Sequence, residues 1–211
     1  MEQKLNLHEK IKNRYEAESI QSCALSCGNA LKELVIRQGE MILDLGCGRG
    51  MDTIRAARLT GERGMAIGLD LTPGMLKEAK KCAESENVKN AAFILGDIES
   101  LPFEENSFDG VMSNCVINHA KDKREAYGEI QRVLKPGGRF VIADAVTKYP
   151  LPSEVKGNSD AWAQCYGGAI TEEEYLNAIQ NAGFRKVEIL NRREYLKNGY
   201  DFISLTIKAV K

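Results

Sequence analysis

The feature that most constrains this chain is a glycine-rich stretch, Asp44-Leu45-Gly46-Cys47-Gly48-Arg49-Gly50, set between an apolar run and a helical pattern. Met41-Ile42-Leu43 leads into it as a buried parallel strand would, apolar at successive positions rather than alternate ones. Residues 51–59 follow with helical spacing. A strand that turns into a helix over alternating glycines brings its backbone close to whatever lies above the turn and aims a helix N-terminus at it. A tight turn without a ligand is the plainer alternative.

The strand–helix alternation continues. Residues 65–69 read as a strand ending at Asp70, and Thr72 and Pro73 supply the N-cap and first position of a helix reaching about residue 85. Residues 91–95, ending before Gly96-Asp97, and 108–113 are further strands. A helix over 123–134 stops at Lys135-Pro136-Gly137-Gly138, a turn built of breakers, and 139–143 form a fifth strand. A helix over 172–182 is capped by Thr171 and ended by Gly183. Two last strands, 184–190 and 202–210, have no helix between them and so pair antiparallel. The fold class is α/β: a Rossmann-like, seven-stranded, mostly parallel sheet with helices on both faces. Residues 1–35, with Leu5, Leu7, Ile11 and Tyr15 at roughly helical spacing, read as a helical cap. It breaks near Ser26-Cys27-Gly28 and resumes as a short helix through Val35. Residues 36–211 form the main domain. The long connection over 147–170 lies near the chemical end of the sheet, and connections of that length are usually functional or disordered.

Composition narrows the function. With 29 basic and 30 acidic side chains and a net charge of −1, there is no basic stripe to hold a nucleic acid. Residues 1–14 are charged and lack a signal-peptide core, and no window reaches a membrane span, so a cytoplasmic protein is expected. Six cysteines, Cys23, Cys27, Cys47, Cys82, Cys115 and Cys165, are then reduced thiols. They form no pair of C-x-x-C knuckles, which argues against structural zinc.

Two features favour S-adenosylmethionine over NAD as ligand of the glycine turn. The spacing is G-x-G-x-G rather than G-x-G-x-x-G. Asp70 also ends the second strand about twenty residues on, where an acid accepts from both ribose hydroxyls. Together with Gly68-Leu69-Asp70, Gly96-Asp97-Ile98, Phe108-Asp109-Gly110-Val111 and Arg132-Val133-Leu134-Lys135-Pro136-Gly137-Gly138, the glycine stretch resembles class I S-adenosylmethionine-dependent methyltransferases in order and spacing across about residues 40–145. The resemblance implies that Gly46, Cys47, Gly48 and Gly50 line the methionine part, with Asp44 near its ammonium. Asp70 binds the ribose, and Leu71 and Met75 join the same set. Asp97 and Ile98 flank the adenine, and Asn114 lies close to the methyl donor.

The acceptor is less constrained. An oxygen or nitrogen acceptor usually needs a base, and His8 and His119 are the histidines of the chain. His119, after the fourth strand, is either such a base or a partly exposed loop residue. The cysteines point elsewhere. Cys115 follows the fourth strand, Cys47 sits in the glycine turn, Cys165 falls in the 147–170 connection, and Cys23 and Cys27 belong to the cap. Thiolates from separate segments would converge on the ligand edge of the sheet, and soft thiolates select thiophilic ions. The alternative, small buried apolar residues, is the reading for Cys82 and stays open for Cys47.

Three segments, Ser113-Asn114-Cys115-Val116-Ile117-Asn118, Leu151-Pro152-Ser153-Glu154-Val155 and Trp162-Ala163-Gln164-Cys165-Tyr166-Gly167-Gly168-Ala169, resemble arsenite methyltransferases, as do residues 172–184 and Phe202-Ile203-Ser204. The resemblance implies Cys115 and Cys165 as the two main arsenic ligands and Cys47 as a participant in thiol or disulfide steps. Cys27, or else Cys23, stands for an N-terminal cysteine. It further implies a thiol reductant, glutathione or thioredoxin, as co-substrate, and a small inorganic or small-molecule substrate as partner. Typical members have adjacent N-terminal cysteines, whereas Cys23 and Cys27 are four apart, and many carry a further C-terminal domain. A methyltransferase for a small organic acceptor, like quinone-biosynthesis enzymes, and a non-catalytic metalloid-binding thiol protein are the alternatives. Trp162 and Tyr166 are read as packing the connection in place.

Overall fold

Strand β1 (Met41–Leu45) shows why the sheet is covered on both sides. Successive side chains of a strand point to opposite faces. Leu43 and Leu45 enter one apolar core with Leu69, Val111, Tyr127 and Tyr175. Ile42 enters another with Ala30, Ala56 and Met112. A strand buried on both faces is apolar at successive positions, as Met41-Ile42-Leu43 is, with buried Asp44 as the exception.

The computed structural model describes residues 7–18 and 29–211. Cys23, Cys27 and the expected break beside Cys27 lie outside the described residues. The chain opens with α1 (Leu7–Glu18) and the short α2 (Ala30–Glu33). After β1 come α3 (Met51–Thr60), β2 (Met65–Asp70), α4 (Pro73–Ser85), β3 (Ala91–Leu95) and β4 (Phe108–Asn114). A 3-10 turn, Ile117–His119, leads to α5 (Lys123–Val133) and β5 (Leu134–Thr147). The chain closes with α6 (Ser153–Lys156), α7 (Ser159–Ala163), α8 (Glu172–Asn181), β6 (Arg185–Lys197) and β7 (Tyr200–Val210). The seven-stranded sheet has the order β3-β2-β1-β4-β5-β7-β6. β1 to β5 run parallel, and β7 is antiparallel to both β5 and β6. This is the expected Rossmann-like α/β sheet with helices on both faces.

The structure departs from the sequence reading in three places. Lys135-Pro136-Gly137-Gly138 is not a turn outside the sheet but a register break inside β5, where Leu134 opposes Phe108 before Arg139 opposes Gly110. β6 extends well past residue 190, because its outer half pairs along β7 up to Lys197 opposite Tyr200. The 147–170 connection contains α6 and α7, and its two ends meet in a bridge between Thr147 and Thr171. Elsewhere local chemistry set the boundaries: α8 begins in a full capping box between Thr171 and Glu174. No helix among the described residues is long and apolar enough to cross a membrane.

The parallel strands end together, β1 at Leu45, β2 at Asp70 and β4 at Asn114. The chain order reverses between β1 and β4, so the loops leaving these strands part there and leave a crevice.

Candidate active site

A cavity of about 1320 Å3 occupies that crevice, with α1 and α2 contributing to its walls. Its floor is the glycine turn. The amides of Gly46 and Cys47 both donate to the Leu69 carbonyl, at 2.7 and 3.0 Å, tying the turn to β2. Gly46 has φ +66°, and a Cβ there would overlap the side chain of Val116. Gly48 has φ +52°, and a Cβ there would meet nothing within 4 Å, so the turn is open toward the cavity at this point. Gly50, expected to line the ligand, does not line the cavity. It is the left-handed N-cap of α3, and a Cβ there would come within 2.6 Å of Phe93 and 2.8 Å of Ala79. Its role is close packing of the turn on α4 and β3.

Asp70, at the end of β2, accepts from the amides of Gly48 (2.8 Å) and Thr72 (2.9 Å). Burial raises its pKa while these amides pull it down. Thr72 is the N-cap of α4, as expected, but its side chain makes no capping bond. Asp44 is 3 % exposed and accepts from the Thr53 hydroxyl at 2.6 Å. Burial pushes its carboxyl up to about 7, with Asp52 and Asp70 adding to the shift. Asp52, at the start of α3, was not singled out in the sequence. It accepts from Asn114 Nδ2 at 3.2 Å, while Asn114 Oδ1 accepts from the Ala30 amide. Asp44, Asp52 and Asp70 all line the cavity and make this end a site for a cation. Leu71, Met75, Asp97 and Ile98 line the other end. There Asp97 accepts from the Glu99 amide and lies 3.5 Å from His8 Nδ1 of α1.

An open glycine turn, an acid at the end of β2, carboxylates at one end and apolar Met75, Leu71 and Ile98 toward the other suit S-adenosylmethionine. That molecule joins an ammonium and a sulfonium to a ribose and an adenine.

The cysteines divide. Cys115, just past β4, lines the cavity, has φ +57° and donates its amide to the Ala143 carbonyl at 2.8 Å. Cys165, after α7, has φ +66°, and its Sγ donates to the Cys115 carbonyl at 2.7 Å. The structure thus brings these two segments into contact, thiol to carbonyl. Left-handed backbone at a residue with a Cβ costs about 1–3 kcal/mol and collects at functional sites. The Gly167-Gly168 pair has a packing reason: a Cβ on Gly168 would overlap the Asn118 carbonyl, and one on Gly167 would lie 2.6 Å from the Trp162 amide. Trp162 donates its indole N–H to the Lys156 carbonyl, and Tyr166 packs edge-on against Phe202, which accords with a packing role for both.

Cys47 behaves differently. A Cβ on Gly68 would lie 2.7 Å from its Sγ, so the thiol rests against β2. Burial drives its pKa well above the ordinary value, and Asp44 and Asp70 push the same way. The thiolate is the nucleophile in thiol exchange, so exchange at Cys47 first requires that this thiol lose its proton. Cys82, half-buried on α4, packs against the core beside Phe93 and Leu76 and lies beside Met51, with its Sγ 3.7 Å from the methionine sulfur.

His119 is partly exposed, on the wall of the cavity, with its Nδ1 buried. Its Nε2 lies 3.0 Å from the hydroxyl of Tyr15 on α1, and burial, then Arg14 and Lys123, hold its pKa down to about 4. It is neutral at pH 7 and a weak base. Tyr15, whose own pKa burial raises, stands near Cys165 and Cys115. Its contribution, like that of Asp52, depends on a tertiary contact that no local motif announces.

Beneath the cysteines lies a polar cluster. Asp144 on β5 is buried and accepts from the amides of Asn118 (3.2 Å) and Ala145 (2.8 Å), from Asn118 Nδ2 and from the Tyr175 hydroxyl. Burial raises its pKa to about 6, against these hydrogen bonds and the charge of Lys123. Lys123, 5 % exposed, donates to the carbonyls of Asn118 (3.2 Å) and Ala120 (2.8 Å). Burial pulls its pKa down to about 8, opposed by Asp144 first.

The sheet order, the glycine turn and the acid ending β2 are those of the class I S-adenosylmethionine-dependent methyltransferase fold. A family model described as a methyltransferase domain matches residues 36–183, and the chain belongs to that family. Among its relatives is an arsenite methyltransferase of Halobacterium salinarum, 37% identical over 186 residues, which cover 85% of this chain and 48% of that protein. The human arsenite methyltransferase is 35% identical over 188 residues, covering 85% of this chain and 47% of its own. An arsenic(III) S-adenosylmethionine methyltransferase from Chlamydomonas reinhardtii superposes with a TM-score of 0.80 at 29% identity, covering 95% of this chain and 73% of that one. The chain spans about half the length of the curated relatives it matches.

Proposed function

We propose that this chain methylates trivalent arsenic bound between Cys115 and Cys165. The observation that carries the reading is the contact of Cys165 Sγ with the Cys115 carbonyl at 2.7 Å, which joins two distant thiol-bearing segments at the cavity wall. The named relatives agree with it. Thiolates are soft ligands and hold thiophilic ions. Trivalent arsenic on thiolates is pyramidal and keeps a lone pair, so no proton need leave the acceptor. A neutral His119 with a pKa near 4 is then no handicap, whereas it would be one for an oxygen or nitrogen acceptor.

S-adenosylmethionine supplies, when bound, an electrophilic methyl carbon on a sulfonium. Everything else is positioning, which is where most of the acceleration of an in-line displacement arises. In this reading Asp44 and Asp52 face the ammonium and Gly46 and Gly48 admit the methionine part. Asp70 receives the ribose, Asp97 and Ile98 hold the adenine, and Asn114 fixes the wall between donor and cysteines. A third thiolate is supplied by Cys27 or Cys23, or by a small thiol. Glutathione or thioredoxin is the proposed reductant, in a reducing cytoplasmic compartment.

The test is incubation of the protein with arsenite, S-adenosylmethionine and glutathione, with methylated arsenic detected by mass. Cys115→Ser and Cys165→Ser are each expected to abolish product while leaving S-adenosylmethionine binding in place. Wild-type rates in either variant would remove the ligand assignment.

A further inference from the structure

Lys123 is misplaced by every ordinary rule. It is the first residue of α5, the end where a helix repels cations. It is almost fully buried, and among the described residues it forms no ion pair. Such a group persists when specific contacts hold it.

Its contacts define what it does. Nζ donates to the carbonyls of Asn118 and Ala120, at 3.2 and 2.8 Å, in the turn that follows Cys115. The same Nζ lies 4.9 Å from the centre of the Trp162 ring. Trp162 in turn accepts the Cys165 amide on its carbonyl at 2.9 Å, and its ring flanks Gly168, which itself packs on the Asn118 carbonyl. One ammonium thus grips the Cys115 segment through two carbonyls and the Cys165 segment through an indole face. Asp144 fixes the same Asn118 from the other side through its amide and Nδ2.

We infer that Lys123 is a positioning residue that clamps the Cys115 and Cys165 segments together so that one arsenic atom can bridge both thiols. The inference deepens the arsenic reading and rests on it. A mere filler of the core would serve as well if it were apolar and of equal length; a clamp needs the charge, because carbonyl oxygens and the negative face of a ring both attract a cation.

The distinguishing probe is phenylarsine oxide, which binds tightly only where two thiols are in reach, compared with iodoacetamide, which reports each thiol singly. In the full chain, Lys123→Met is expected to keep the iodoacetamide rates of Cys115 and Cys165 and the affinity for S-adenosylmethionine. It should weaken phenylarsine oxide binding by about 10-fold or more, and Lys123→Arg should restore most of the loss. Undiminished phenylarsine oxide affinity in folded Lys123→Met would overturn the clamp. Should that variant not fold, Trp162→Leu removes the π face and leaves the lysine its carbonyls. A several-fold loss is then expected, and wild-type affinity overturns the proposal. Wild-type protein that fails to bind phenylarsine oxide, or binds it equally well after Cys115→Ser, sinks the arsenic reading itself, a separate result from a failed clamp.

Discussion

At the scale of single residues, the glycine turn separates two roles that its sequence presents alike. Gly46 is confined by Val116, whereas Gly48 faces open space, and both have positive φ. Gly46→Ala is expected to cost about 1–3 kcal/mol in urea unfolding, since strain and overlap add. Gly48→Ala should cost less stability yet lose S-adenosylmethionine affinity in calorimetry, because its new methyl enters the ligand's space. Equal stability losses in the two would refute this distinction. Asp44 makes a second prediction. Its carboxyl is pushed up to about 7 by burial. A bound cation favours the ionised form, so binding below that pH must release a proton. Affinity should therefore weaken on acidification below about pH 7, approaching tenfold per pH unit, and Asp44→Asn should flatten the profile. In the ligand-free protein the raised pKa has the opposite sense. The neutral carboxyl's contribution to stability is present below the ordinary value of 3.8 and is lost as pH rises through about 7.

At the scale of elements, legibility followed burial. β1 could be read because a strand covered on both faces is written as a largely apolar run. The outer half of β6 could not: it is an edge strand carrying Asn191, Arg192, Arg193 and Glu194, and its partner is set by the hairpin rather than by a core. The signal was nevertheless there in Asn198-Gly199, both with positive φ, as a two-residue hairpin requires. Cys115 and Cys165 were recognisable as a pair only through a resemblance, because they lie fifty positions apart and no periodicity links them. Lys123, Tyr15 and Asp52 gave no signal, since each acts through a partner on another element. Helix α8 was legible from its ends, and its cap yields a test. Thr171→Ala removes the acceptor of the Glu174 amide while keeping the backbone amide that donates to the Glu174 carboxylate, and is expected to lower stability by about 1 kcal/mol in thermal unfolding, without altering methyl transfer. A loss of activity larger than the stability change would show that the cap also governs the Cys165 connection, which returns to β5 at Thr147.

At the scale of the molecule, α1 touches everything that matters. His8 reaches Asp97 beside the adenine end, Glu16 accepts from the Gly74 amide of α4, Tyr15 meets His119, and Arg14 donates to the Ala163 carbonyl of α7. One twelve-residue helix therefore spans from the cofactor end to the cysteine end of the cavity. Helices of that length are marginal on their own, so α1 is held by these docking contacts more than by its own propensity. If departure of the spent cofactor requires α1 to lift, contacts at both ends of the helix must give way together. Turnover would then be timed by departure and not by chemistry. Stopped-flow release of S-adenosylhomocysteine should accelerate in Arg14→Ala, which loosens the far end of the helix from the cofactor. A release rate that ignores this substitution would mean that the cofactor has a door of its own.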